Sequence, residues 1–189
     1  MKQIKNLIAP LIVAVLIIGV VLRIYSVYSD DKAQYQKYYN NYSTLIGSMS
    51  DDIDTVNNLQ EEEEYYEDML YQTMSSYYQS TDDQVLRYVF QQRFPSSQEY
   101  ENDRKSAFII IYALLELYPE MKENDTINEN IIGINDTLST LQRTIDAHNA
   151  KVNECNDLIK SINKSDYVKI WNKNAFINNR VNDILFIEE

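Results

Sequence analysis

Apolar residues recur along this chain in two long helical rhythms, separated by a region of breaks. In the first half, Tyr35, Tyr39, Tyr42, Ile46, Met49, Ile53 and Val56 are spaced alternately by four and three. That alternation places all seven on one stripe of a helix and predicts a buried seam. In the second half the same alternation runs through Ile127, Ile131, Ile134, Leu138, Leu141, Ile145, His148, Val152, Cys155, Ile159 and Ile162. It predicts a helix over about 126–163, roughly 55 Å long at 1.5 Å per residue.

Between the seams the pattern is punctuated. "EEEEYYED" at 61–68 places six acidic groups in eight residues and reads as a solvated face at a helix bend or start, with cation binding as the rival reading. Met69, Leu70, Thr73, Met74 and Tyr77 then restore helical spacing. "STDD" at 80–83 has the composition of a helix N-terminus, where side-chain oxygens accept from free backbone N–H groups. In "FPSSQE", Pro95 halts one helix and Ser96 with Glu99 forms a capping box for the next. That next helix ends in "AFIIIYALLELY" at 107–118, apolar on nearly every face, which predicts a helix at the centre of a bundle. Pro119 must end it near Tyr118. Thr126 and Glu129 supply a second capping box, and the long helix then returns antiparallel.

A third rhythm occupies the N-terminus, where apolar residues are continuous rather than periodic. "LIAPLIVAVLIIGVVL" at 7–22 carries no charge, and apolar character resumes after Arg23 with Ile24, Tyr25, Val27 and Tyr28. Positions 5–28 would reach roughly 35 Å, more than the hydrocarbon core of about 30 Å. Tyr25 and Tyr28 fall where a headgroup layer would lie. A cleaved signal peptide fits less well, because Val27 and Ser29 make a poor small-x-small site and the apolar run exceeds a usual signal core. The expectation is an uncleaved anchor at 1–28 followed by a helical-bundle domain at 29–189. Lys2 and Lys5 precede the span, and Arg23, Lys32 and Lys37 follow it. This near balance favours an extracytoplasmic bundle only by a small margin.

Composition narrows the function classes. Three glycines and three prolines in 189 residues leave too few turn formers for a sheet protein, so the fold class is all-α. A formal net charge of -12 argues against nucleic acid as a partner. One histidine, His148, cannot furnish the paired Glu-x-x-His sets of a di-iron bundle. Cys155 lies on the same seam, seven residues on, roughly 10 Å away and too far to share a metal within one helix. His148 therefore reads as a polar residue fixing register in a core, and Cys155 as a small buried side chain. "SINK" at 161–164 matches Ser-x-x-Lys of penicillin-binding enzymes but lacks the companion motifs. The scattered glycines exclude a phosphate-binding loop. Neither catalytic residues nor a cofactor nor a metal is expected.

The stretch 114–162 resembles the LemA family. The likeness lies in an apolar helix closing on "YPEMKEND" at 118–125 and in the following helix with its asparagines in "HNAKVNECN" at 148–156. An N-terminal anchor followed by "YYNNY" at 38–42 fits the same layout. The chain departs from the family at 51–68, which is acidic where a basic pair and an apolar Pro-Asn segment are usual, and it lacks a Phe-Pro element after Ile162. The resemblance implies a membrane-anchored helical bundle and carries over no catalytic residues. The resulting expectation is an elongated antiparallel bundle with two long heptad-patterned helices, tethered to a bacterial cell membrane as a scaffold or adaptor. Its partners would be the lipid bilayer, other membrane or envelope proteins, and a second copy of itself. A sensor module binding a small ligand is the alternative.

Overall fold

The computed structural model describes the backbone of residues 2–178, 180, 181 and 187, and within that set the side chains from residue 12 onward. Five α-helices account for most of it: α1 (Lys2–Ser80), α2 (Gln84–Arg93), α3 (Ser97–Asn102), α4 (Arg104–Leu117) and α5 (Asp125–Lys164). A 3-10 turn at Pro119–Glu123, a π-helical turn at Tyr167–Trp171 and a 3-10 turn at Lys173–Ala175 complete the regular structure. No strand occurs among the described residues, and the all-α expectation holds. The chain divides into two compact units. One combines Met1–Asp52 with Asp146–Glu189, and the other is Ile53–Ile145.

Helix α1 contributes to both units and runs unbroken past position 28, where the anchor was expected to give way to the rest of the chain. No proline interrupts the sequence between Pro10 and Pro95. Gly19 and Gly47 each cost only about 1 kcal/mol relative to alanine, which is too little to stop a helix anchored on both sides. Among the described residues α1 is the one helix long and apolar enough to cross a membrane, and none of its apolar stretch is buried. The large apolar side chains between Ile12 and Val27 stand 47–67% exposed. In water that surface would be strongly unfavourable; in hydrocarbon it is not.

In the first unit, α1 beyond the apolar stretch meets α5 and the turn that follows it. Met49 is fully buried against Val152, Cys155 and Ile159. Nearer the N-terminus, Tyr35, Tyr38 and Tyr42 pack on Ile162, Tyr167 and Val168. Rising numbers on α1 therefore face falling numbers on α5. The expected seam is present with one shift: Tyr38 packs against this core, while Tyr39 is exposed.

The second unit gathers α2, α3 and α4 with parts of α1 and α5 around Leu70, Met74, Phe90, Ile111, Leu115 and Ile127. Each short helix begins on a side-chain cap. Asp83 accepts from the backbone N–H of Val85 (2.8 Å) and of Leu86 (3.0 Å). Ser96 and Glu99 form the capping box expected from "FPSSQE". Pro119 ends α4, leaving Leu117 as its last residue, and Tyr118 still donates to the Leu114 carbonyl at 2.9 Å.

Several sequence expectations need correction here. The segment after Ser96 is two helices, because Asp103 leaves helical geometry (φ −150°, ψ 80°) and caps α4 by accepting from Ser106 N–H at 3.0 Å. Helix α4 is not buried on all sides: Ile109 and Leu117 are 66% and 59% exposed, while Phe108, Ile111, Leu114 and Leu115 point inward. Helix α5 is capped by Asn124, whose Oδ1 accepts from Thr126 and Ile127 N–H at 3.1 Å each, rather than by a Thr126–Glu129 box. Its seam also slips once, since Thr137 is buried and Leu138 exposed. In the tail, whose sequence shows apolar residues in clusters without a clear period, Trp171 and Phe176 are exposed, and Ile184, Leu185 and Phe186 lie outside the described residues.

The two helical glycines at 47 and 133 have opposite roles. A Cβ on Gly133 would stand 2.6 Å from the Tyr66 ring, whereas one on Gly47 would meet nothing within 4 Å. Gly133 lets α5 approach an aromatic ring on α1 closely; Gly47 only costs helix propensity. Gly47→Ala should stabilise the detergent-solubilised chain by about 0.5–1 kcal/mol. Gly133→Ala should lose about 1 kcal/mol net, because overpacking costs more than the propensity gains. Thermal melts followed by circular dichroism decide both signs.

Candidate functional sites: an acidic groove and an asparagine ladder

The acidic run lies on α1 in the second unit, and α1 passes straight through it. Its residues fall on different faces. Glu61, Glu62 and Glu64 are exposed, but Glu63, Glu67 and Asp68 are only half-exposed. They face α4, and the two helices enclose a groove of about 980 Å³. Its acidic wall is Glu63, Glu64 and Glu67, with Glu116 on the far side; Phe108, Tyr112 and Ala113 give it an apolar floor. Arg104 and Lys105 close one end. The reading of 61–68 as a plain solvated face is therefore incomplete.

Arg104 organises that end. It pairs with Asp68 and, through Nη1, with Glu64 Oε2 at 3.1 Å. Tyr100 donates its hydroxyl to Asp68 Oδ1 at 2.8 Å, and the Arg104 guanidinium lies 5.3 Å from the Tyr100 ring centre. Burial, with the bond to Asp68 second, pushes the Tyr100 hydroxyl well above its ordinary range. Farther along, burial and the neighbouring Glu63 raise Glu67 to about 7, against the lowering influence of Arg104. A carboxyl poised there changes charge near neutral pH. The groove can hold a cationic or mixed-charge amphipathic group, with the apolar part on the floor.

In the first unit, His148 is fully buried and presents Nδ1 to Asp52 Oδ2 at 3.5 Å. Lys151 donates to both Asp52 oxygens (2.8 and 2.7 Å) and to Ser48 Oγ at 2.8 Å. Helices α1 and α5 are thus joined by a polar cluster beside the apolar contacts of Met49, Val152 and Ile159, which suits the register role read from sequence. Cys155 lies apart from it, among Met49, Val152 and Ile159, with its thiol pushed up by burial and then by Glu154. The structure does not bring the two candidate ligands together. Among the described residues no three His, Cys, Asp or Glu side chains form a metal-holding group.

One arrangement escaped the sequence reading. Asn149, Asn156 and Asn163 sit seven apart on α5, each one residue after a seam position, and each binds the backbone of the C-terminal tail. Asn163 donates to Ile177 O (2.6 Å) and accepts from Ile177 N–H (2.9 Å). Asn156 accepts from Val181 N–H at 3.0 Å while donating to Val152 O at 3.0 Å. Asn149 exchanges both bonds with Ile187, at 2.9 and 3.1 Å. A carboxamide offers one acceptor and two donors in a plane, so it can satisfy both the N–H and the C=O of a single backbone residue. The heptad recurrence of Asn beside the seam was the available signal.

No family model, curated protein or solved structure matches the chain.

Two outcomes follow from these geometries. Because the folded state raises Glu67 above the ordinary carboxyl value, its contribution is favourable below about pH 4.5 and lost as pH rises through about 7. Glu67→Gln should therefore melt higher than the parent at pH 8 and about level with it at pH 5, with solvent screening keeping the gain below about 1 kcal/mol. A variant less stable than the parent at pH 8 would contradict the burial argument. Separately, Asn163→Ala removes two side-chain bonds to the tail and should speed hydrogen exchange at the Ile177 amide about tenfold. Unchanged exchange there would mean that the ladder does not hold the tail.

Proposed function

We propose that this chain is a single-pass, membrane-anchored helical-bundle protein of a bacterial cell envelope, serving as a non-catalytic scaffold or adaptor. The observation that carries the reading is the bare apolar surface of α1 between Ile12 and Val27, continuous in one helix with a segment that packs normally against α5. Such a surface belongs in hydrocarbon, and the unbroken helix fixes the rest of the first unit close to the bilayer. The resemblance to the LemA family implies the same layout. The acidic groove supplies a surface for a partner: its floor is apolar and its walls are charged, as in grooves that accept an amphipathic helix. Self-association through the exposed face of α4 fits the same role.

The size of the groove also favours a second reading, a sensor that binds a small ligand there. About 980 Å³ is ample for one. The two readings differ in what fills the groove, and a photo-cross-linker at Ala113 separates them. An adaptor gives a discrete protein adduct in membranes that Glu63→Lys abolishes. A sensor gives none.

The anchor is tested by fractionation. The parent chain should stay with membranes through alkaline carbonate washing. Arginines in place of Leu16 and Ile17, each costing about 2.5–3.5 kcal/mol in mid-bilayer, should release it. A parent chain recovered in the soluble fraction would end this reading.

A further inference from the structure

The turn that follows α5 ends beside the far end of the apolar stretch of α1, and it presents two unlike faces. Tyr167 and Val168 are buried, packed with Ile162 against Tyr28, Tyr35, Tyr38 and Tyr42. Ile170, Trp171 and Phe176 remain 64%, 42% and 50% exposed. Trp171 meets Tyr28 edge to face with ring centres 5.3 Å apart, and Tyr167 lies 5.7 Å from the same ring. The turn is therefore held at the level of Tyr28, six residues past the uncharged run that ends at Leu22, roughly 9 Å along the helix. That is headgroup depth for a helix spanning the bilayer.

Charge points the same way. Residues 164–180 carry Lys164, Lys169, Lys173 and Arg180 against Asp166, a net +3 in a chain of net -12. Lys169 and Lys173 stand two residues either side of Trp171 and are themselves exposed. On α1, Lys32 Nζ lies 5.9 Å from the centre of the Tyr28 ring. A basic patch around an exposed tryptophan, phenylalanine and isoleucine is the chemistry of an interfacial anchor on anionic lipid: rings enter the boundary between headgroups and chains, and lysine stems lie along it with their ammonium groups among phosphates.

We infer that Ile170, Trp171 and Phe176, with Lys169 and Lys173, form a second membrane-contacting site that seats the end of α5 on an anionic lipid surface. The inference rests on α1 being the membrane span. It gives the first unit two points of attachment, so that α5 as well as α1 is held against the bilayer, and it accounts for large apolar side chains left uncovered at the one end where lipid is adjacent.

Trp171 is the single tryptophan of the chain, so its emission reports this site alone. The full-length protein is reconstituted into phosphatidylcholine vesicles with or without phosphatidylglycerol, using lipids brominated either high on the acyl chain or near its end. The expected result is a loss of Trp171 emission that is larger with the shallow bromines, increases with phosphatidylglycerol, and shrinks in a Lys169→Glu/Lys173→Glu variant. Both lysines are exposed, so this variant leaves the packing untouched. Protein that floats with the vesicles and resists carbonate but shows no bromolipid quenching overturns the second site while leaving the α1 anchor standing. Protein that fails to float overturns both. Quenching indifferent to phosphatidylglycerol and to the double variant overturns the assignment to an anionic surface.

Discussion

A helix in water gains little from its own hydrogen bonds, so the stability of α5 has to come from what its apolar stripe touches. That stripe meets α1 in both compact units, and the remaining structure is arranged around these contacts. Met49 against Val152 and Cys155, and the tyrosines of α1 against Ile162 and Tyr167, close the first unit. The second unit wraps α2, α3 and α4 over Leu70 and Met74 of α1 and Ile127 and Ile134 of α5. Remove the burial of either stripe and both long helices are left as exposed amphipathic rods.

Apolar stripes specify which face is buried but tolerate sliding by whole turns. The polar insertions supply what the stripes leave open. Asp52 accepts two bonds from Lys151 and faces buried His148, so a shift of one turn would strand a carboxylate in a largely apolar contact. The close approach at Gly133 does similar work in the second unit, because the Tyr66 ring fits only where a side chain is missing. Register is thus held by a few unlike contacts spread along a repetitive seam.

Function, as proposed, depends on surfaces that this packing leaves uncovered. Three stand out: the bare apolar length of α1, the outward face of the turn at Tyr167–Trp171 beside its end, and the groove between α1 and α4 in the second unit. The first two are apolar or basic and suit lipid. The third is acidic around an apolar floor and suits a cationic amphipathic partner. In the groove, Glu67 is held near neutral pKa by burial and by Glu63, so the affinity for a cation there would weaken as it takes up a proton.

Local pattern was enough to read the all-α class, the two seams, the cap at Ser96 and Glu99, and the break at Pro119, because each follows from spacing or backbone chemistry within a few residues. The apolar run at 7–22 was equally legible, since hydrophobic continuity needs no partner to be recognised. Tertiary structure alone decided that the acidic run pairs with Arg104 at the end of a groove, since Asp68 and Arg104 lie 36 positions apart and the chain between them must fold before the two can meet. It likewise left Ile109 and Leu117 outside, because burial depends on how many neighbours arrive and not on how apolar a helix is. The asparagine ladder lay between these cases. Its heptad spacing was visible, but only the folded chain shows that those carboxamides bind the backbone of Ile177, Val181 and Ile187.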